Sequence, residues 1–181
     1  MQNQKAKVKV GGFIKIDEFK ILEQPSFVEF LKSGWFINLS VAIDFTASNG
    51  TRHNIKDNMF NEYELALQEV GKILEPYAYK KKFAGFGFGG IPTHLAHQTV
   101  SHCFNLNGSQ DPTIVGKDNL LQAYRKAAGR TTLWGPTYFS KVLDMVQKYM
   151  HVNLQNKIYH ILLILTDGCI HDLRETIDLI V

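Results

Sequence analysis

The stretch VAIDFTASNG, Val41 to Gly50, ends an apolar run abruptly on an aspartate and then places a threonine, a serine and an asparagine close together. The residues that lead into it, FINLSVAID, are rich in β-branched and aromatic side chains and apolar on both faces toward their end. That pattern is typical of a strand buried in the middle of a sheet. We therefore predict that the first core strand ends at Asp44 and that a tight polar loop follows it.

Helix and strand patterns alternate along the rest of the chain. We predict an amphipathic helix from Asn58 to about Ala78, with further helices over NLLQAYRKAA, YFSKVLDMVQKYMHV and DLRETIDLIV. Strands are predicted over KKFAGFGFGG, CFNLN and KIYHILLILTD, and a hairpin or edge strand over KAKVKVGGFIKIDEFKI. Alternating strands and helices indicate an α/β fold with three layers, in which a mostly parallel, doubly wound sheet carries helices on both faces.

Composition narrows the function classes. With 181 residues, 45% hydrophobic and 20% charged, the chain has the content of one globular domain. The net charge is only +3, and the basic residues are scattered apart from the run at 80–82, so a nucleic-acid surface is not expected. Two cysteines and no leader pattern favour reduced thiols in the cytoplasm. The most apolar stretch, IYHILLILTDG, is shorter than the ~20 residues that span a bilayer.

Two buried strands are predicted to end on aspartate, and ligands of doubly wound sheets bind beyond the carboxyl ends of the strands. Asp44, Thr46 and Ser48 offer a carboxylate and two hydroxyls from alternate positions of one loop. The last strand ends at Asp167, and the loop LWGPTYF presents Thr137 just before a helix. An all-oxygen set of this kind suits a hard divalent cation, magnesium or manganese, better than zinc.

The D-x-[ST]-x-S turn, with a later threonine and a strand-terminal aspartate, resembles the metal-ion-dependent adhesion site of von Willebrand factor A domains. The stretches VAIDFTASNG, FGFGG-IP, HCFNLNG, LWGPTYFS and LLILTDGCIHDLRETIDLIV resemble, in this order, the A domain of copines. This resemblance runs from about Gly34 to the last residue. It assigns residues 34–181 to a copine-type A domain.

The resemblance implies a role for each site residue. Thr46 and Ser48 bind the metal through their hydroxyls, and Asp44 and Asp167 hold it largely through water. Thr137 supplies a switchable contact from the loop LWGPTYF, which is the third loop of the site. An acidic group from a protein partner completes the coordination, so the metal serves docking rather than catalysis. The function expected from the resemblance is a non-enzymatic, divalent-metal-dependent protein-interaction module.

The sequence departs from the family pattern at both ends, first in the C2 domains and second in the final strands. Copines carry paired C2 domains, which give calcium-dependent phospholipid binding, before the A domain. Residues 1–33 are too few for a folded domain and resemble at most the end of a C2 domain plus a linker. We therefore expect a cytoplasmic protein that reaches the plasma membrane only through a partner or through C2 domains outside this sequence. The sequence stops within a predicted helix, so the final strands of an A domain are expected to be missing.

Two alternatives concern the same aspartates. Asp44 and Asp167 could simply cap turns or helix N-termini, which is a common use of such side chains. Alternatively, they could hold the metal of a phosphate-ester hydrolase built on a similar α/β sheet. We rank the hydrolase lower because no basic residue adjoins Asp44 in the sequence to hold a phosphate.

Two further motifs are discounted. GFGFGG satisfies the G-x-G-x-x-G pattern of dinucleotide-binding folds, but it lies within and after a predicted strand rather than in a turn that opens a helix. We interpret these glycines as packing positions under a crossing helix. The histidines and cysteine of THLAHQTVSHC suggest zinc, but no second cysteine or histidine pair follows at ligand spacing. A solvated loop is the preferred interpretation there.

Overall fold

The computed structural model describes residue 12 and residues 14–56, 59–94, 99–151 and 157–181. The helices are Phe27–Lys32 (α1), Glu62–Leu74 (α2), Lys117–Ala128 (α3), Ser140–His151 (α4) and Leu173–Ile180 (α5). The strands are Phe36–Asp44 (β1), Ala78–Phe88 (β2), Gly90–Pro92 (β3), Phe104–Asn105 (β4), Thr113–Val115 (β5), Thr131–Leu133 (β6) and Ile158–Leu165 (β7). Two 3₁₀ segments, Ala47–His53 and Glu75–Tyr77, follow β1 and α2.

The main sheet has β1 in its interior. The strand order is β4-β2-β1-β7, and β5 also pairs with β2. Strand β1 runs parallel to both β2 and β7, whereas the short strands β4 and β5 pair with β2 in the antiparallel direction. Strands β3 and β6 form a separate two-stranded antiparallel sheet. The predicted α/β class with a mostly parallel sheet is confirmed.

Helices cover both faces of this sheet, as predicted. Consecutive residues of β1 point to opposite faces, so Val41 lies in an apolar cluster with α2 and α3, and Ala42 lies in a second cluster with α4. Burial of β1 on both faces explains its unbroken apolar sequence. Helix α5 packs against α4. Among the described residues, β7 has a sheet neighbour only on its β1 side.

Helix α2 begins at a capping box. The side chain of Asn61 accepts a hydrogen bond from the backbone N–H of Glu64 at 2.9 Å, and the Glu64 carboxylate accepts one from the Asn61 N–H at 2.8 Å. This arrangement satisfies backbone donors that the first turn of a helix leaves unpaired. The helix therefore starts later than predicted. The predicted start, Asn58, lies outside the described residues.

The N-terminal segment differs from its prediction. The predicted hairpin or edge strand lies partly outside the described residues, and its described part, residue 12 and residues 14–21, forms no strand. The apolar side chains there face solvent, and Ile14 is 95% exposed. A strand is stabilised by pairing, and the described chain offers this segment no partner. Strands β5 and β6 and the 3₁₀ segment after β1 were not predicted.

Candidate metal centre

The carboxyl ends of β1 and β7 lie side by side. The two strands are parallel, and Ile43 is paired with Leu165 in the register. The chain leaving β1 at Asp44 and the chain leaving β7 before Asp167 therefore emerge at the same edge of the sheet. The third loop reaches this edge through a bridge between Thr46 and Trp134, three residues before Thr137.

The structure brings all five side chains named from the sequence together at this edge. The hydroxyl of Ser48 donates to Asp167 Oδ1 at 3.0 Å and lies 3.0 Å from Thr46 Oγ1. The hydroxyl of Thr137 lies 3.5 Å from Thr46 Oγ1. Gly168 fits closely over the group, because a Cβ at its position would lie 3.7 Å from Asp44 Oδ2 and 3.2 Å from Thr137 Oγ1.

Asp44 is fully buried, and both of its carboxylate oxygens accept hydrogen bonds. The backbone N–H of Thr46 donates to Oδ1 at 2.8 Å, which is the turn contact that the capping alternative expects. The hydroxyl of Thr166 donates to Oδ2 at 2.6 Å. Sequence reasoning missed Thr166. Its position directly before Asp167 at the end of a buried strand was the available signal.

Behind the loop lies a buried aromatic and polar layer. His53 stacks between the rings of Phe45 and Tyr63, each with a centroid distance of 4.7 Å, and one ring nitrogen lies 2.8 Å from the Asp44 carbonyl oxygen. Burial lowers the pKa of His53, although the backbone contact and the charge of Asp44 act in the opposite direction. Asn49 donates to the hydroxyl and the carbonyl oxygen of Thr46. The loop is thus fixed from beneath by neutral groups.

The third loop is tied to the chain that follows Asp167. Asp172 is buried, and its two carboxylate oxygens accept the backbone N–H groups of Phe139 at 2.9 Å and Ser140 at 2.8 Å, at the start of α4. The backbone N–H of His171 donates to the Thr137 carbonyl at 3.0 Å. Burial acts to raise the pKa of Asp172, but hydrogen bonds from Ser140 and Phe139 outweigh it and lower that pKa. These contacts hold Thr137 beside the β7 loop.

A basic residue also reaches the site. Arg52 Nε lies 3.3 Å from Asp167 Oδ2, and Arg52 Nη1 lies 3.6 Å from Glu62 Oε2. Arg52 is in the 3₁₀ segment, eight residues after Asp44, so adjacency in sequence did not reveal it. We rank the phosphate-ester hydrolase lower because no basic residue adjoins Asp44 in the sequence; folding nevertheless places Arg52 beside Asp167 of the same candidate site.

The donor set fits a hard divalent cation. The five side chains supply two carboxylates and three hydroxyls, with no nitrogen or sulfur, and oxygen donors are what magnesium and manganese prefer. The described residues contain no group of three or more His, Cys, Asp or Glu side chains that could hold a metal ion. The candidate centre therefore combines its two carboxylates with hydroxyl oxygens.

The glycines of GFGFGG and the described histidines of THLAHQTVSHC, which we discounted as ligand sites, lie among packed side chains. Gly85 and Gly87 lie inside β2, where an added Cβ would meet Leu120 of α3 at 3.3 Å and Phe104 at 2.4 Å, respectively. The glycines thus make room for packed side chains. His94 lies edge-on to Phe104, and His102 packs against Tyr138. His97 lies outside the described residues.

The mostly parallel sheet, the helices on both faces and the loop arrangement define an α/β protein of the von Willebrand factor A type. The sequence profile described as Copine matches residues 51–181, and the chain belongs to the copine family. That match includes Thr137 and Asp167, while Asp44, Thr46 and Ser48 lie before it. Within the described part of the chain, no helix has the length and apolar character needed to cross a membrane.

Individual relatives extend the similarity over nearly the whole chain. It is 37% identical over 191 aligned positions to a Caenorhabditis briggsae protein named Nicotinic receptor-associated protein 1, covering 98% of this chain. It is 40% identical to the Arabidopsis thaliana protein BONZAI 2 and 39% identical to BONZAI 1, in each case covering 92% of this chain. The chain spans about 30% of the length of each of these relatives.

Proposed function

We propose that this chain is a protein-interaction module whose partner binding depends on a divalent cation, Mg²⁺ or Mn²⁺. Asp44, Thr46, Ser48, Thr137 and Asp167 would hold the ion, and an acidic group from the partner would complete its coordination. The observation that carries the proposal is the contact network joining the hydroxyls of Thr46, Ser48 and Thr137 to the carboxylate of Asp167. When bound, the ion supplies a positive charge that attracts a carboxylate.

The surroundings of the site support a docking role. Ser48 and Thr166 are exposed, whereas Asp44 and Thr137 are buried, so the donors form a shallow site with one open side. Next to it, a cavity of about 350 Å³ is lined by residues that include Arg52, Lys56, Glu62 and the exposed apolar side chains Met59, Phe60 and Leu65. A partner segment with an acidic residue beside apolar ones matches this surface in charge and polarity.

Cation binding is tested by thermal unfolding of the chain with and without magnesium. A ligand that binds only the folded state stabilises it, by about 2.7 kcal/mol at a concentration 100 times the dissociation constant. Wild type should gain stability with added Mg²⁺, and Ser48→Ala and Asp44→Asn should gain much less. Asp178→Asn, a change at an exposed position of α5, serves as the matched control and should respond like wild type. Equal magnesium responses of wild type and Ser48→Ala would contradict the proposed centre.

Partner binding and hydrolysis are separated by two assays on the same variants. In a pull-down, binding that is lost both with a chelator and in Ser48→Ala supports the interaction module. Incubation with p-nitrophenyl phosphate and Mg²⁺ tests the hydrolase, which Arg52 beside Asp167 keeps in consideration. Turnover that disappears in Asp44→Ala would favour the hydrolase. Absence of turnover, together with chelator-sensitive capture, favours the module.

A further inference from the structure

A cavity of about 460 Å³ lies beside α3, away from the candidate metal centre, with which it shares no residue. It is open to solvent and falls within the ~300–1,000 Å³ typical of small-molecule sites. Its described lining residues come from α3, from β5 and the chain between β4 and β5, and include His94 and Arg130. It therefore has walls from several parts of the fold.

The floor of this cavity is apolar. Leu106, Ile114, Ala123 and Ala127 line it, and all four are buried members of the cluster between the sheet and helices α2 and α3. Their positions are fixed by the packed core beneath them. The floor is consequently preformed and suits the flat or aliphatic body of a small ligand.

The rim of the cavity is basic. His94, Lys126 and Arg130 are its only ionisable lining residues among those described, and no described aspartate or glutamate lines it. Lys126 and Arg130 are exposed, and neither has an ion-pair partner in the described part of the chain. Lys126 lies in the last turn of α3, where a cation interacts favourably with the helix dipole. Arg130 lies beyond the end of that helix, so the dipole does not explain its presence.

Backbone contacts hold the basic groups around one opening. The Arg130 carbonyl accepts two hydrogen bonds from Thr93, from its N–H and its hydroxyl, each at 2.8 Å, so the chain at His94 is fixed beside Arg130. His94 Nε2 is buried and has no hydrogen-bond partner among the described residues. Such an unpaired polar atom is uncommon in folded proteins. The amide side chain of Gln122 adds a polar group to the lining, whereas the amide nitrogens of Asn107 and Asn119 donate to backbone carbonyl oxygens of the chain around β5.

We propose that this cavity binds a phosphate monoester with an apolar body. A phosphate monoester carries a charge of about −1.5 to −2 at pH 7, which the two permanent cations Lys126 and Arg130 match, whereas a single carboxylate would leave one cation unmatched. Arginine binds phosphate through two parallel hydrogen bonds. The apolar body lies on the buried floor, and the amide of Gln122 contacts a polar atom of the ligand.

The test uses isothermal titration calorimetry and amide NMR shifts on the chain with AMP and p-nitrophenyl phosphate as probes. Binding by wild type should weaken tenfold or more in Lys126→Gln/Arg130→Gln and in Gln122→Trp, a change that fills the cavity from an exposed position. The matched control Lys72→Gln/Lys148→Gln removes two exposed lysines elsewhere, lowers the net charge from +3 by the same two units, and should bind like wild type.

Two further ligands separate the parts of the proposal. Adenosine lacks the phosphate and inorganic phosphate lacks the apolar body, so each should bind at least tenfold more weakly than AMP. Vesicles containing phosphatidic acid distinguish a lipid source of the same phosphate group from a soluble one. The proposal is overturned if neither monoester binds, if adenosine binds as well as AMP, or if the Lys126/Arg130 and control double variants bind equally. Because none of these residues belongs to the metal centre, failure here leaves the proposed function untouched.

Discussion

The tie between α4 and the β7 loop can be broken at one side chain, Asp172. Replacement by alanine removes the acceptor of two buried backbone N–H groups, those of Phe139 and Ser140. A buried donor left without a partner costs about 1–3 kcal/mol, so Asp172→Ala should lower the free energy of unfolding by about 2–4 kcal/mol, less than two full penalties because water reaches part of the gap. In a chain of this size the melting temperature should fall by roughly 4–16 °C.

Urea unfolding followed by circular dichroism measures this effect. Asp178→Ala, an exposed aspartate of the following helix, makes the same change in charge and should stay within about 0.5 kcal/mol of wild type. Asp172→Asn keeps one acceptor oxygen and should lose about half as much stability as Asp172→Ala. If Asp172→Ala unfolds at the same urea concentration as Asp178→Ala, the hydrogen bonds from Phe139 and Ser140 to Asp172 do not stabilise the fold.

The pH dependence of the same variant gives a second check. The pKa of Asp172 is lower in the folded protein than its ordinary value of 3.8. The stability that its ionised form contributes is therefore fully present above that ordinary value and is lost as the pH falls through the folded-state pKa. The stability difference between wild type and Asp172→Asn should be constant near neutral pH and shrink below about pH 4. A difference that grows on acidification would contradict the assignment.

Two predictions concern packing and thiol reactivity. Gly87→Ala should lower the free energy of unfolding by about 1–3 kcal/mol in a urea titration, because the new Cβ would clash with a ring carbon of Phe104. The control Gly129→Ala should leave the stability unchanged, because its Cβ would lie 3.6 Å from its nearest neighbour. Equal midpoints would refute the close packing. With Ellman's reagent at pH 8, one thiol should react quickly, since Cys169 is exposed while burial, aided by the charge of Asp144, raises the pKa of Cys103 to about 12. Two fast thiols, or a fast thiol that persists in Cys169→Ser, would show that Cys103 is accessible.

The central strands β1 and β7 could be predicted because their unbroken apolar sequences reflect their position inside the sheet. The apolar run ending at Asp44 and the one ending before Asp167 are buried strands, and their parallel register follows from the helices between them. The shared position of the five candidate ligands follows in turn from that register. These strands could be predicted because their apolar runs are long enough to be recognised in the sequence alone.

The remaining features depend on contacts between distant parts of the chain. Strands β5 and β6 have three residues each, too few to show a periodicity. Arg52 and Asp172 look like ordinary charged residues until folding brings them to Asp167 and the start of α4. At the N-terminus, the described part of the predicted hairpin or edge strand, residue 12 and residues 14–21, forms no strand. Alternation of polar and apolar residues is visible at residues 14–21, but a strand also needs a partner.

The pairing of β1 with β7 has a consequence for how the protein reaches its native state. The contact between Thr166 and Asp44 joins residues 122 positions apart, and that between Ser48 and Asp167 joins residues 119 apart. Sheets built from such remote segments fold slowly, because a long loop must close before the pairing is gained. During synthesis at about 5–20 residues per second, β1 would wait roughly 6–25 seconds for β7, with one side unpaired. Until β7 has emerged, this open side of β1 is a site at which a chaperone would protect the nascent chain from aggregation.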